Sequence, residues 1–249
     1  MDSRLGVVVL ALVLLTVLPA AARAQEAAKV TGSVRLSDER SLTRWAHPVQ
    51  RSPIRTRPSS DAKPIVSTHM RTEDGFPEVY LALRSWDNPD SHHGHAGTQT
   101  WIEVRIPMRP NGRKGWVRES ALGPLYRVTT HLVVDRSKQH ATLFKAGRKI
   151  WDEPVGVGKS STPTPPGNFW IREKFKISDG GGPYGPFAFG TSDYSVLSDW
   201  PGGGVIGIHG TDEPALIPGR PSHGCIRVRN GDLRHLWRKL PVGTPVTIR

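Results

Sequence analysis

Cysteine is nearly absent from this chain of 249 residues, which contains only Cys225. A single thiol cannot close an internal disulfide, so the disulfide-stabilised scaffolds common among small exported domains are excluded. Long regular apolar periods are also missing, because 22 prolines and 26 glycines divide the chain into short β-branched runs. This composition excludes a helical bundle and predicts one or two β-rich domains.

Long hydrophobic runs are limited to the amino terminus. Arg4 precedes an apolar run from Leu5 to Leu18, which leads into Ala22, Arg23 and Ala24. The run is shorter than the roughly 20 residues that span a bilayer, and its flanks are typical of a secretory signal with an Ala-x-Ala cleavage site. We therefore expect a signal peptide over residues 1–24, a flexible lead-in over 25–44, and secretion to the cell wall or periplasmic space. Membrane attachment is expected only if the signal stays uncleaved.

Acidic residues are outnumbered, with 22 Asp and Glu against 34 Lys and Arg, which gives a formal charge of +12. A basic exported protein meets anionic cell-wall polymers and lipid headgroups, so nucleic acid is not expected as a partner. The alternative is a solvated basic surface that aids solubility.

Residues 45–124 contain recurring strand-like runs. In "TWIEVRI", Ile102, Val104 and Ile106 alternate with Trp101, Glu103 and Arg105, so one face is expected to be apolar, and Asn111-Gly112 is a strong turn signal. We predict a small antiparallel barrel here. The strand order and the "PNGRKGWV" ending resemble bacterial Src-homology-3-type domains, which are often attached to cell-wall enzymes. The segment "SHHGHAG" (91–97) is interpreted as a polar loop and not as a metal site, because no carboxylate or cysteine stands at ligand spacing.

Residues 126–249 are interpreted as a second β-rich unit. Three strand candidates, "YRVTTHLVVD", "HATLFK" and "KIWDEPVGV", form a meander, and a long loop, "SDGGGPYGPFAFG", carries Tyr184, Phe187 and Phe189. One helix is clear: Asn230 is expected to cap it, Pro241 ends it, and its apolar face consists of Leu233, Leu236, Trp237 and Leu240.

The setting of Cys225 indicates nucleophilic chemistry, with a buried structural thiol as the alternative. A thiol with a pKa near 8.5 is only slightly ionised at neutral pH, so a nucleophilic cysteine needs a base or cation close by. His209 ends the run "GVIGIHG", and His223 shares a face with Cys225 if residues 222–226 are extended. Both histidines are candidates. The N–H groups of Gly224 and Cys225 could stabilise an oxyanion. The spacings match no common zinc site, and neither metal nor cofactor is expected.

"IHGT", followed after ten residues by "SHGCIR", resembles the signature of the L,D-transpeptidases, the YkuD-like cysteine enzymes of bacterial peptidoglycan. The likeness extends over about 126–249 and includes "TPTPPGNFWI" and "GTPVTI". It implies that Cys225 is the nucleophile, that His209 is the base, and that the carbonyl of Gly210 holds its imidazole. Ser222, His223 and Gly224 would then shape the thiol loop and its oxyanion hole. Tyr184 and Arg227 are candidate substrate contacts, and for Arg227 an ion pair that holds the loop is the alternative.

The resemblance also implies a reaction. Cys225 would cleave the terminal D-alanine from a peptidoglycan tetrapeptide stem, form a thioester, and pass the acyl group to an amine of a second stem, giving a 3→3 cross-link. With water as acceptor the enzyme would be an L,D-carboxypeptidase. Acylation of the thiol by carbapenems is implied as well. The alternative from another class is a non-catalytic wall-binding protein.

Overall fold

A computed structural model describes residues 32–88, 99–199 and 201–249 of the chain. The predicted signal peptide, the start of the lead-in and the histidine-rich segment 91–97 lie outside these residues. Residues Gly32–Arg249 form one compact unit. Within the described ranges, no helix has the length and apolarity to cross a bilayer.

The fold is mainly β, as predicted, with two sheets and one α-helix in the described part of the chain. The first sheet contains β1 (Val34–Arg35), β2 (Thr43–Ala46), β3 (Pro53–Arg55), β4 (Pro64–Ser67), β5 (Tyr80–Asn88), β6 (Gln99–Arg105), β7 (Lys114–Arg118) and β8 (Tyr126–Val128). The second contains β9 (Thr130–Asp135), β10 (His140–Lys145), β11 (Arg148–Pro154), β12 (Gly156–Gly158), β13 (Gly167–Lys176), β14 (Phe187–Tyr194), β15 (Val205–His209), β16 (Gly219–Ser222), β17 (Ile226–Arg227) and β18 (Pro245–Ile248).

The first sheet is antiparallel, in the order β4-β3-β7-β6-β5-β2-β8, with β1 beside β5. Ile102, Val104 and Ile106 are buried in its core, as the alternation predicted. The opposite face of β6 is covered too, because Trp101 lies beneath the Arg118 guanidinium and Arg105 pairs with Glu39. Its likeness to Src-homology-3-type domains stays a prediction.

The described part of the expected lead-in, residues 32–44, contains regular secondary structure. Strand β1 lies there, and the carboxylate of Asp38 accepts hydrogen bonds from the N–H groups of Arg40, Ser41 and Leu42. A side-chain carboxylate that binds the backbone of its own turn leaves no trace in hydrophobic periodicity, which is why the sequence analysis missed this order.

The second sheet has the order β11-β10-β9-β18-β13-β14-β15-β17-β12-β16. Strands β9, β10 and β11 form the predicted antiparallel meander, and the closing strand β18 runs parallel to β9. Strand β15 runs parallel to β17 near one end of the sheet, with Ile208 opposite Ile226 and His209 opposite Arg227. This register brings the two halves of the recognised signature side by side.

Helix α1 (Asn230–Lys239) packs on the second sheet through Leu233, Leu236 and Leu240, and its residue Trp237 contacts the same core. The predicted cap is wrong, because Arg229 occupies the N-cap position and no side chain caps the helix. The oxygen of the Asn230 side chain accepts the N–H of Thr211 instead. The Asn230 side chain therefore bonds to a residue distant in sequence and not to the first turn of its own helix.

The aromatic loop is shorter than predicted. Residues Phe187–Tyr194 form β14, which pairs with β13 and β15, and Phe189 is fully buried. Glycine and proline indicated an irregular segment, but the pairing of β14 on both sides stabilises extended backbone from Phe187 onward. Tyr184 ends a short 3₁₀ helix, Ser178–Tyr184, and half of its surface is exposed.

The two sheets meet at a short connection. Strand β8 belongs to the first sheet through its pairing with β2, and β9 of the second sheet begins after the single residue Thr129. The first sheet therefore reaches beyond the residue range 45–124 at both ends. The division into two domains stays a prediction.

Candidate active site

Cys225 and the two candidate histidines line one cavity of about 90 Å³. The cavity lies where β15 and β17 adjoin, and the 3₁₀ helix before β14 covers one side of it. Its lining consists of Pro183, Tyr184, Ser195, Gly204, Val205, Ile206, His209, Ser222, His223, Cys225 and Arg227. The structure thus brings the predicted residues together, with Gly210 and Gly224 adjacent in sequence to lining residues.

Cys225 directly follows a bend at His223 and Gly224, between β16 and β17, and is not on a continuous strand. The side chain of Ser222 donates to the carbonyl of Cys225 at 2.6 Å, and the N–H of Gly224 donates to the Ser222 hydroxyl at 3.1 Å. Gly224 has φ 129°, and a Cβ there would stand 2.7 Å from Cδ1 of Ile206. The bend overturns the extended backbone assumed for residues 222–226, and it requires glycine at 224.

Thr164 holds the thiol loop from beneath, a role that the sequence analysis missed. Its buried hydroxyl accepts the N–H of Gly158 and donates to the carbonyl of Gly224 at 2.7 Å. One hydroxyl therefore links β12 to the loop that carries the nucleophile candidate. The only signal in the sequence was its place in "TPTPPG", within the stretch that resembles the transpeptidases.

Gly207 contacts the thiol directly. Its N–H donates to Sγ of Cys225 at 3.4 Å. A Cβ built on Gly207 would stand 3.7 Å from Cδ2 of His209 and 3.9 Å from Sγ, so the thiol and the imidazole both border the space that this glycine leaves empty. Alternate residues of a strand share a face, which places Gly207 and His209 on the same side of β15.

His209 is buried at the end of β15, with Nδ1 at 2.7 Å from the carbonyl of Gly210. A carbonyl only accepts, so Nδ1 carries the proton and the neutral ring presents its lone pair at Nε2. The ring of Tyr184 meets the imidazole edge-on, with the centroids 4.9 Å apart. Position and tautomer are therefore both fixed.

Gly210 allows close packing around this histidine. A Cβ on Gly210 would stand 2.1 Å from Oδ1 of Asn230 and 2.8 Å from Cα of Gly185. The same Asn230 oxygen accepts the N–H of Thr211 at 3.0 Å. Asn230, absent from the predicted site, thus holds the turn that follows the imidazole.

The pKa values of the two groups move apart. The pKa of His209 is lowered to about 4, chiefly by burial and in part by Arg227, while the hydrogen bond to the Gly210 carbonyl opposes the shift. Burial raises the pKa of the Cys225 thiol, although the Gly207 N–H and Arg227 act in the opposite direction. Both groups are therefore neutral near pH 7, and the resting pair is a thiol beside an imidazole.

The remaining predicted residues take distinct positions. His223 is exposed on the cavity rim, with Nε2 at 3.0 Å from Nζ of Lys159. The Gly224 N–H, expected to bind an oxyanion, already donates to Ser222, whereas the described residues place no acceptor on the N–H of Cys225. Arg227 forms an ion pair with Glu213 at 2.8 Å and also faces the cavity.

Metal ligation has no support in the part of the chain that the structure describes, where no group of three or more His, Cys, Asp or Glu side chains could hold an ion. The arrangement offers instead a thiol, a neutral imidazole with a free ring nitrogen, and a cavity large enough for a small acyl group. These parts suit nucleophilic acyl transfer with general-base assistance.

Comparisons with known proteins show similarity to the L,D-transpeptidases. The family model described as YkuD, L,D-transpeptidase catalytic domain, matches residues 129–248. The YkuD protein of Bacillus subtilis, assigned to the L,D-transpeptidases, is 35% identical over 123 residues, which cover 49% of this chain and 68% of that protein. Its Bacillus licheniformis counterpart is 35% identical over 106 residues, covering 43% and 57%. A crystal structure of Enterococcus faecium L,D-transpeptidase is 28% identical and covers 48% of this chain and 49% of that one, with a TM-score of 0.36.

Proposed function

Because the chain belongs to the L,D-transpeptidase family of enzymes, whose catalytic domain is of the YkuD type, we propose that it is a secreted cysteine acyltransferase of peptidoglycan. Cys225 is the proposed nucleophile and His209 the proposed base. The observation that carries this assignment is the shared border of thiol and imidazole along Gly207, together with the orienting bond from Nδ1 of His209 to Gly210.

In the first step, Sγ of Cys225 attacks the carbonyl between the third residue of a tetrapeptide stem and its terminal D-alanine. The thiol proton passes to Nε2 of His209 as the carbon–sulfur bond forms. The carbon–nitrogen bond then breaks, the imidazolium gives its proton to the departing amine, and D-alanine leaves a thioester behind. Proton transfer during attack suits this pair, because both partners start neutral.

The developing oxyanion needs donors that are not already engaged. We assign this role to the N–H of Cys225, which has no acceptor among the described residues. The N–H of Gly224 contributes only if it releases the Ser222 hydroxyl. Ser222 and Thr164 then act by holding the loop and not by touching the substrate.

In the second step, a side-chain amine of another stem attacks the thioester, His209 accepts its proton, and the thiol is restored. This gives a 3→3 cross-link. Water in place of the amine would make the enzyme an L,D-carboxypeptidase. Tyr184 and Arg227 line the cavity and are the proposed substrate contacts, the latter through its positive charge toward a stem carboxylate.

Secretion is part of the proposal and rests on the predicted signal peptide. The proposed partners are peptidoglycan stem peptides, with anionic wall polymers attracted by the excess of 34 basic over 22 acidic residues. Neither a metal nor an organic cofactor takes part in the proposed steps.

The deciding experiment is intact-protein mass spectrometry after incubation with a carbapenem. We expect one adduct on the wild-type chain, mapped to Cys225 by peptide digestion, and none on Cys225→Ala with its fold preserved. An unmodified wild type, or an adduct that persists in Cys225→Ala, would refute the assignment. Muropeptide analysis of the products would then separate transfer to an amine from transfer to water.

A further inference from the structure

The turn between β6 and β7, residues 106–113, belongs to the first sheet but reaches the candidate active site in the second. Asn111 of this turn lies against β14. Its amide nitrogen donates to Oδ1 of Asp193 at 2.7 Å and to the carbonyl of Tyr194 at 3.0 Å, and its amide oxygen accepts the N–H of Tyr194 at 3.1 Å. One side chain thus binds both backbone groups of Tyr194, as a neighbouring strand would.

Arg109 of the same turn continues the contact. Its Nη2 donates to the carbonyl of Ser195 at 3.0 Å and to that of Gly203 at 2.9 Å. Its guanidinium lies over the ring of Tyr194, with Cζ 4.8 Å from the centroid. A guanidinium offers several donors in a fixed plane, so it can join two separate stretches of backbone.

The segments that Arg109 joins form one wall of the cavity. We define the wall as four residues that line the space around Cys225, namely Ser195, Gly204, Val205 and Ile206. The N–H of Ser195 donates to the carbonyl of Gly204 at 2.8 Å. A Cβ on Gly204 would stand 1.9 Å from the Leu197 carbonyl and 2.8 Å from Nη2 of Arg109, so the guanidinium is in close contact with the wall itself.

A buried polar network anchors the same region more deeply. The hydroxyl of Tyr194 donates to Glu73, in the loop between β4 and β5, at 2.6 Å and lies 3.2 Å from the carbonyl of Pro107. Arg172 of β13 binds Glu73 at 2.8 Å and is also paired with the fully buried Glu78. The turn therefore rests on a network of paired side chains that is well suited to fixing one geometry.

We propose that Arg109 and Asn111 are positioning residues of the active site, and that the first sheet, through its 106–113 turn, sets the shape of the wall that receives the acyl donor. The sheet is on this account a structural part of the substrate cleft. The inference rests on the proposed function for the identity of the donor.

The proposal separates two properties of the site. The thiol is held by Gly207 and by the loop of Ser222, neither of which contacts the 106–113 turn through any described hydrogen bond. The wall is held by the turn. Loss of Arg109 should therefore weaken recognition of a large acyl donor while leaving the intrinsic reactivity of the thiol unchanged.

The test uses the full chain with Arg109→Ala, Asn111→Ala and the conservative Arg109→Lys. Arg113→Ala is the matched control, since Arg113 is an exposed arginine of the same turn with no described side-chain partner. Acylation by a carbapenem is followed by mass spectrometry across concentrations, and alkylation by iodoacetamide reports on the thiol alone. Amide hydrogen exchange of peptides that contain Ser195 and Gly204 reports on the wall directly.

For Arg109→Ala and Asn111→Ala we expect carbapenem acylation to fall roughly tenfold or more through weaker binding, because small displacements of positioning groups carry large costs. Alkylation should stay within about twofold of the wild-type rate, exchange at the wall should rise, and Arg109→Lys should recover part of the loss. Arg113→Ala should match the wild type.

Equal acylation by variants and wild type, or a parallel loss of acylation and alkylation that follows the unfolded fraction, would overturn the proposal. If the wild type itself resists the carbapenem, the proposed function fails. The exchange measurement then decides on its own whether the turn holds the wall, and unchanged exchange in Arg109→Ala would overturn that too.

Discussion

The N–H of Gly207 donates to Sγ of Cys225, and the space where its side chain would stand is bordered by both Sγ and the imidazole of His209. Glycine at this position therefore supplies a donor to the thiol and keeps the gap beside the two reactive groups open.

Gly207→Ala should fold normally yet react slowly. The nearest atom to the new methyl is the Phe189 carbonyl at 3.6 Å, an ordinary contact, so the melting temperature should change little. The methyl would nevertheless fill the space beside thiol and imidazole, and we expect carbapenem acylation to fall roughly tenfold or more. Gly231→Ala, at a site with no atom within 4 Å, is the control and should keep full activity. A fully active Gly207→Ala would contradict the geometry.

The two histidines can be separated by matched substitutions. His209→Ala should lower acylation by about 10²- to 10⁴-fold, the usual contribution of a positioned base. His223→Ala should have a far smaller effect, because that ring is exposed on the cavity rim beside Lys159. The measurement is the acylation rate of each folded variant. A larger loss in His223→Ala than in His209→Ala would show that His223, and not His209, is the base.

Activity should persist at mildly acidic pH. His209 must be neutral to accept the thiol proton, and burial lowers its pKa to about 4, so the acidic limb should lie near that value. The carbapenem acylation rate should therefore change little between about pH 7.5 and 5.5, where a base with an ordinary pKa near 6.5 would lose about nine tenths of its activity. An acidic limb centred above pH 6 would show that the imidazole is not held in its buried state.

Arg227 has two possible partners that substitution of Glu213 can distinguish. The ion pair between them is partly exposed, with 56% of the Glu213 side chain accessible, so Glu213→Gln should leave the melting temperature almost unchanged. If Arg227 binds a substrate carboxylate, Arg227→Met raises KM for a tetrapeptide stem while Glu213→Gln does not. Equal effects of both variants on KM would assign Arg227 to the loop alone.

Glu173 makes the stability of the fold depend on pH. The pKa of Glu173 is raised to about 7, chiefly by burial and in part by Asp74, while the Thr72 hydroxyl acts in the opposite direction. A folded-state pKa above the unfolded value means that the protonated form is favoured on folding, so this stability is present below about pH 4.5 and is lost as the pH rises to about 7.

Glu173→Gln removes that titration. We expect its melting temperature to exceed that of the wild type at pH 8 and to match it near pH 4.5. Thermal denaturation at both pH values tests the claim. A constant difference between the two proteins across this range would mean that Glu173 does not titrate in it.

Much of the second sheet was predictable because its signals are local. The meander follows from turn residues between β-branched runs, and the buried face of α1 follows from the spacing of Leu233, Leu236 and Leu240. The sequence could pair the thiol with His209 only because the resemblance supplied that pairing. In the structure, β15 and β17 are parallel neighbours with His209 opposite Arg227, and this pairing brings the thiol, two residues before Arg227, close to the imidazole.

Features in which one side chain binds a segment distant in sequence could not be predicted. Asparagine is a residue type typical of helix caps, but the Asn230 side chain binds Thr211 instead. Phe187 begins a strand in a stretch whose glycines and prolines indicated a loop. Thr164 and Asn111 act through side-chain hydrogen bonds to segments that are distant in sequence, which neither periodicity nor composition reveals. Such contacts depend on the completed fold.

The connection at Thr129 has a practical consequence for dissecting this protein. Successive Cα atoms are only about 3.8 Å apart, so the single residue Thr129 is too short a linker to let the two sheets move independently. A fragment that starts at Tyr126 would retain strand β8 without its partner strand, Thr43–Ala46. The unpaired N–H and C=O groups of β8 could then pair with other chains. A fragment that starts after Val128 avoids this unpaired strand. It nevertheless lacks the 106–113 turn that we propose holds the wall of the cleft.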